Sequence, residues 1–168
     1  ANREDSSTVG VNSSSNNSAG DSGAAYIFSR IGTTWAQQAY IKAGNTGGSD
    51  YFGYSVGLSG DGNKLIIGAP FEDGDGTGVN PAENNLWGDS GAAYIFSRSG
   101  TTWSQSAYLK ANSKGSDYFG WGVAISKNSD HVVVGAPVED TNLSCVNPVS
   151  NNLAADNGAA YTFHNNAG

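Results

Sequence analysis

Bulky and minimal side chains alternate along one stretch of the chain. Phe52, Tyr54, Val56 and Leu58 are interleaved with Gly53, Ser55, Gly57 and Ser59. A period of two is that of an extended strand, whose side chains leave alternately to opposite faces. One face here carries bulk and the other carries almost nothing. Farther along, Phe119, Trp121, Val123 and Ile125 alternate in the same way with Gly120, Gly122, Ala124 and Ser126. The turn Ser59-Gly60-Asp61-Gly62-Asn63 predicts a tight hairpin. Lys64 to Ala69 is a continuous apolar run closed by Pro70, which suits a strand covered on both faces. After a polar loop, Phe71 to Ser90, a third strand is predicted at Gly91–Ser97 and a fourth at Trp103–Ala111, separated by the turn Arg98 to Thr102. No helical period interrupts the strands, so the sheets are expected to be antiparallel.

The whole scheme repeats about every 67 residues. Gly23-Ala24-Ala25-Tyr26-Ile27-Phe28 returns as Gly91 to Phe96 and again, with Thr162 for Ile, as Gly158 to Phe163. Thr33-Thr34-Trp35 returns as Thr101-Thr102-Trp103, and Ser49-Asp50-Tyr51-Phe52-Gly53 returns as Ser116 to Gly120. Gly68-Ala69-Pro70 returns as Gly135-Ala136-Pro137. A four-strand unit repeated at fixed spacing points to propeller-type blades. A β-sandwich also wants alternating strands but has no need of such a unit. The expected fold is therefore all-β, with antiparallel four-stranded blades stacked face to face. Phe52, Tyr54, Val56, Leu58 and their copies are expected to be buried between sheets, with Gly or Ser of one blade making room for the next. Residues 1–48 would supply the third and fourth strands of one blade, 49–115 a complete blade, and 116–168 the first three strands of another. Propellers close with about four to eight blades. The chain, which contains no Met, thus reads as part of a longer repeat protein or as one subunit of an assembly, its partners being the missing blades or other copies of itself.

Composition narrows the function. The formal net charge is -7, with only 8 Lys and Arg residues, and these are scattered. Nucleic acid and anionic membrane surfaces both require clustered basic residues, so neither is an expected partner. No apolar run approaches the about 20 residues of a membrane-spanning helix.

The pairs Phe52-Gly53 with Gly68-Ala69-Pro70, and Phe119-Gly120 with Gly135-Ala136-Pro137, flank the predicted hairpins. In this the chain resembles the FG-GAP repeat found in integrin alpha subunits and in many microbial secreted proteins. The resemblance covers essentially the whole chain. It implies blades of a propeller on an extracellular or cell-surface protein. The family often carries a calcium loop between the FG and GAP strands. This sequence departs there, since Ser59 to Asn63 and Ser126 to Asp130 each offer one carboxylate, whereas calcium takes about six to eight oxygens. No calcium is expected in the hairpins. The long loops are the other place for an ion. They hold Glu4, Asp5 and Asp21, then Glu72, Asp73, Asp75 and Asp89, then Glu139, Asp140 and Asp156. Asx-rich turns give the same composition without a metal, and no resident cofactor is expected.

Nothing in the chain assembles a nucleophile, a base and an orienting group. His131 stands where the sister repeat has Lys64, and His164 where Ser29 and Ser97 stand, so both read as solvated positions. Cys145 aligns with Gly10 and Gly78 in the long loop and reads as incidental. Asn12, Asn16 and Asn142 each open an Asn-X-Ser sequon in that loop and are candidate glycosylation sites. The expected function is a non-catalytic extracellular binding or adhesion module, with a carbohydrate or protein ligand. The alternative is a structural repeat protein of a surface layer or filament.

Overall fold

The computed structural model describes residues 1–112, 115–141 and 156–165. Ten strands follow one another: β1 (Ala25–Ile31), β2 (Thr34–Ile41), β3 (Ser55–Leu58), β4 (Lys64–Ala69), β5 (Gly78–Val79), β6 (Ala92–Ser99), β7 (Thr102–Lys110), β8 (Gly122–Ile125), β9 (His131–Ala136) and β10 (Ala159–His164). There is no helix among the described residues. The sheets run β1-β2, β3-β4-β6-β7-β5 and β10-β9-β8, and every strand pairing is antiparallel. The all-β antiparallel fold is thus the one the alternation predicts.

Two apolar layers lie between the three sheets. Ala25, Ala39 and Ile41 from β1-β2 meet Leu65, Ile67, Tyr94, Phe96, Trp103 and Tyr108 of the central sheet. On the central sheet's other face, Ile66, Ala93 and Leu109 meet Phe119, Val132, Val134 and Ala136. The apolar run Lys64–Ala69 is therefore buried on both faces, as its lack of alternation implies.

The two motif glycines explain how neighbouring sheets approach. Gly53 and Gly120 have φ of 88° and 97°, and a Cβ on either would strike the carbonyl of Ala24 or Ala92 in the preceding sheet. Gly120 in turn presses its own carbonyl against Gly68, where a side chain would block it. Ser55 Oγ donates to that same carbonyl at 2.8 Å. Only glycine has both the left-handed freedom and the missing side chain. Parallel bridges, Gly23 to Phe52 and Gly91 to Phe119, join each third strand to the start of the next unit.

The expected burial of the bulky face needs correction. Phe52 and Phe119 are buried, but Tyr54, Val56, Leu58 and Trp121 are 38, 57, 57 and 40 % exposed. Val123 and Ile125 are partly covered. The reason is geometric. The bulky face of β8 leans on the small face of β3, with Ile125 Cγ2 at 3.6 Å from where a Cβ on Gly57 would sit. The room is thus taken by an aliphatic residue. The bulky face of β3 looks the other way, toward β1-β2. That sheet has two strands, and its apolar side chains pack on β4, β6 and β7 rather than on β3.

The long loop is also less superficial than expected. Glu72, Gly74 and Ser90 are buried. Midway, Gly78 and Val79 form β5, pairing with Lys110 and Leu109 on the outer edge of β7. Val11 bridges Ile41 at the matching place in the first repeat. The loop thus covers a strand edge that would otherwise present free backbone groups.

Candidate functional site

The acidic residues of the long loops are engaged within the fold. Asp5, Asp73 and Asp140 each accept, through Oδ1, the amide of an Asp sixteen residues on, Asp21, Asp89 or Asp156, at 2.8, 2.9 and 2.9 Å. The three donors all have φ between 53° and 57°, a region that Asp tolerates better than most residues. The clasp closes each loop at its base. Asp75 pairs with Asn84 Nδ2 at 2.7 Å. Among the described residues, no group of three His, Cys, Asp or Glu side chains could hold a metal ion.

Glu4 and Glu72 have a different task. Lys110 is 2 % exposed and Glu72 fully buried. Glu72 Oε2 accepts from Lys110 Nζ at 2.6 Å, and Oε1 accepts from Tyr108 OH at 2.7 Å and Asn45 Nδ2 at 2.6 Å. Tyr94 OH donates to Asn45 Oδ1 at 2.7 Å. Lys110 also donates to Ser90 Oγ at 2.7 Å, which donates onward to Gly74 O at 2.6 Å. Burial pulls the Lys110 ammonium below the usual lysine range, against the opposing pull of Glu72. In the first repeat, Lys42 Nζ meets Glu4 Oε2 at 3.0 Å, Ser22 Oγ at 2.7 Å and Gly23 O at 2.6 Å. The sequence offered one signal for these lysines: each interrupts an apolar strand at the same repeat position.

The exposed feature is a run of aromatic rings along the junctions between sheets. Tyr51 lies 5.1 Å from Phe71, Phe71 lies 4.9 Å from Tyr118 and 6.2 Å from Trp121, and Trp121 lies 4.8 Å from Tyr54, all between ring centroids. Tyr118 and Trp121 are 6.0 Å apart. Arg3, which occupies the repeat position of Phe71, places its guanidinium 5.8 Å over the Tyr51 ring, a cation–π distance. Tyr54 and Trp121 are exposed and Tyr51, Phe71 and Tyr118 are half-buried. Tyr51 and Tyr118 have φ of 53° and 55°. That conformation is an outlier for a bulky side chain, and such outliers cluster at functional sites. The strip presents flat apolar faces edged by phenol hydroxyls, which suits a ligand with flat apolar faces and polar edges.

Directly before Tyr51 in the chain stands Asp50, which is 1 % exposed. Gly47 N donates to Oδ2 at 2.6 Å, and Oδ1 is buried with no hydrogen-bond partner. Burial pushes its carboxyl up to about 7, with Gly47 N–H and Lys42 opposing and Glu72 and Asp73 adding to the rise.

The other sequence candidates stand apart from the strip. Asn12 and Asn16 are exposed. Their Oδ1 atoms are turned inward, to Tyr40 N at 2.9 Å and to Ser7 N at 3.0 Å. Asn142 and Cys145 lie outside the described residues. His131 and His164 face each other across β9 and β10, ring centroids 4.5 Å apart and both exposed. The Asp61 carboxylate takes Ser59 Oγ at 2.6 Å and Asn63 N at 3.0 Å, and these donors hold it down at about 2. Asp130 takes Asn128 Nδ2 at 2.6 Å.

A family model described as FG-GAP repeat matches residues 35–96 and 103–163. The chain belongs to the FG-GAP repeat family. FG-GAP repeats are β-propeller blades, in keeping with the antiparallel sheets. Each matched FG-GAP segment begins on an outer strand, β2 or β7, and ends on the third strand of the following sheet, β6 or β10. One family repeat therefore straddles a junction between sheets, and the aromatic strip is built within it. A search of curated proteins found no match. Among the described residues, no helix is long and apolar enough to cross a membrane.

Proposed function

We propose that this FG-GAP segment is a non-catalytic binding or adhesion module of an extracellular or surface protein, and that the aromatic strip is its contact surface. The observation that carries the reading is the continuity of Tyr51, Phe71, Tyr118, Trp121 and Tyr54 over two successive repeats. Contiguous exposed aromatic surface is the usual mark of a recognition site. FG-GAP repeats are typical of extracellular or surface proteins. The strip suits carbohydrate, whose rings stack on aromatic faces while their hydroxyls meet phenol groups. The test is titration with a panel of soluble polysaccharides, read by Trp fluorescence. Binding that Trp121→Ala and Tyr54→Ala each weaken by about tenfold or more supports the reading. Affinity unchanged in both variants counts against it.

A second reading, a structural repeat protein whose copies assemble, is favoured by the uncovered bulky face of β3. Val56 and Leu58 there are each more than half exposed. Sedimentation velocity across a concentration series tests it, since assembly through that face raises the mass and Leu58→Asp reverses the rise.

A further inference from the structure

We propose that Asp50 is a proton-operated latch beside the aromatic strip. In its neutral form it holds the Tyr51–Phe71 ring contact together, and in its ionised form it drives apart the two segments that carry those rings. This rests on the strip being the contact surface and adds the regulation of that surface.

Connectivity comes first. Asp50 is bonded to Tyr51, and Phe71 is followed directly by Glu72 and Asp73. The carboxyl and the two acids whose fields it feels are thus one or two residues from the rings that stack at 5.1 Å. The segment around Asp50 is already strained, with Ser49 at φ 67° and Tyr51 at φ 53°. A charge there acts on a conformation that costs free energy to hold.

The surroundings make the neutral form the one that fits. Asp50 is buried, and its Oδ1 meets no donor. An anion would leave that oxygen desolvated and uncompensated, whereas a proton on it removes the charge. Lys42 lies just past the end of β2, Glu72 and Asp73 on the long loop, and Lys110 and Tyr94 on β7 and β6. Both lysines are already committed, Lys42 to Glu4, Ser22 and Gly23, and Lys110 to Glu72 and Ser90. The loop acids therefore oppose a charge on Asp50. Tyr94 is held in its neutral form by burial and adds no positive charge.

The sign follows from linkage. The carboxyl is raised in the folded chain from the ordinary 3.8 to about 7. Its contribution is fully present below the unfolded value and is lost as pH rises through the folded one. The latch closes in mild acid and opens above neutrality.

The experiment is a titration of the whole chain, without ligand, from about pH 5.5 to about pH 8.5, followed by near-ultraviolet circular dichroism and thermal melting. A loss of aromatic signal centred near pH 7 is expected, with a melting temperature that falls as pH rises toward that point and levels off above it. The variant decides whether a transition belongs to Asp50. Asp50→Asn keeps the low-pH spectrum throughout. A flat wild-type titration, or a transition that survives in Asp50→Asn, overturns the latch. If the variant does not fold, carbon-detected NMR of the wild-type Asp50 carboxyl replaces it, and a midpoint in the ordinary aspartate range overturns the proposal. Because no ligand is present, a strip that binds nothing sinks the binding reading alone, and a flat titration sinks the latch alone.

Discussion

The two lysine pockets are copies of one design, one sealed and the other open to solvent at its edge. In the second repeat, Glu72 is sealed and receives Lys110, Tyr108 and Asn45. In the first, the Glu4 side chain is 16 % exposed and Oε2 receives Lys42 and the amide of Ser6. Tyr40, the counterpart of Tyr108, has its hydroxyl buried without a partner, and burial pushes it up to about 12. What separates them is Asn45, which comes from the segment just after β2 and reaches into the next repeat to join Tyr94 and Glu72. A repeat of this kind finishes its interior with a residue from the repeat before it.

That contrast can be broken at its strongest point first. Lys110→Ala leaves Glu72 sealed without its cation and is expected to cost about 3–5 kcal/mol. Lys42→Ala is expected to cost clearly less, because Glu4 can turn to water. Urea denaturation of both variants measures the gap, and equal losses would mean that the pockets do not differ. Asn45→Ala strips one donor from Glu72 and the acceptor from Tyr94, for an expected loss of about 1–3 kcal/mol. Hydrogen exchange should then show faster opening of β6 and β7 with β8 and β9 unaffected. Gln38→Ala removes the acceptor of Trp103 Nε1, a 2.9 Å bond between the first two sheets, for about 0.5–1.5 kcal/mol. It should red-shift the Trp emission. Leu58→Asn, on the uncovered face of β3, is expected to change stability by less than about 0.5 kcal/mol in the isolated chain. A larger loss in the urea midpoint would show that this face is covered in solution.

The repeat, and with it the strand menu, was legible because pattern and spacing agree at every level of the sequence. Lys64–Ala69 was placed to the residue, since an apolar run bounded by a turn and a proline leaves little choice. Burial was less legible. A period of two says that Tyr54, Val56 and Leu58 share a face, but not whether a sheet lies against it. Lys42 and Lys110 were hidden by their own chemistry, because lysine in a strand normally means solvent and only three-dimensional convergence on Glu4 and Glu72 makes it a core residue. β5 left no trace, being two residues in a polar loop. The aromatic strip joins Phe71 to Tyr118 and Trp121, residues about three-quarters of a repeat apart. Each had a local reading as strand or turn, and the junction alone brings them together.

The sealed lysine pocket of the second repeat bears on the medium the protein tolerates. Mobile ions screen charges that face water over about 10 Å at 0.1 M salt and about 3 Å at 1 M. An exposed contact such as Arg3–Asp21, at 4.0 Å, fades as brine is added. No counter-ion reaches between Lys110 and Glu72, which solvent does not wet. The stack of sheets therefore keeps this buried ion pair from fresh water to concentrated salt, and changes in salinity act on charges that solvent reaches.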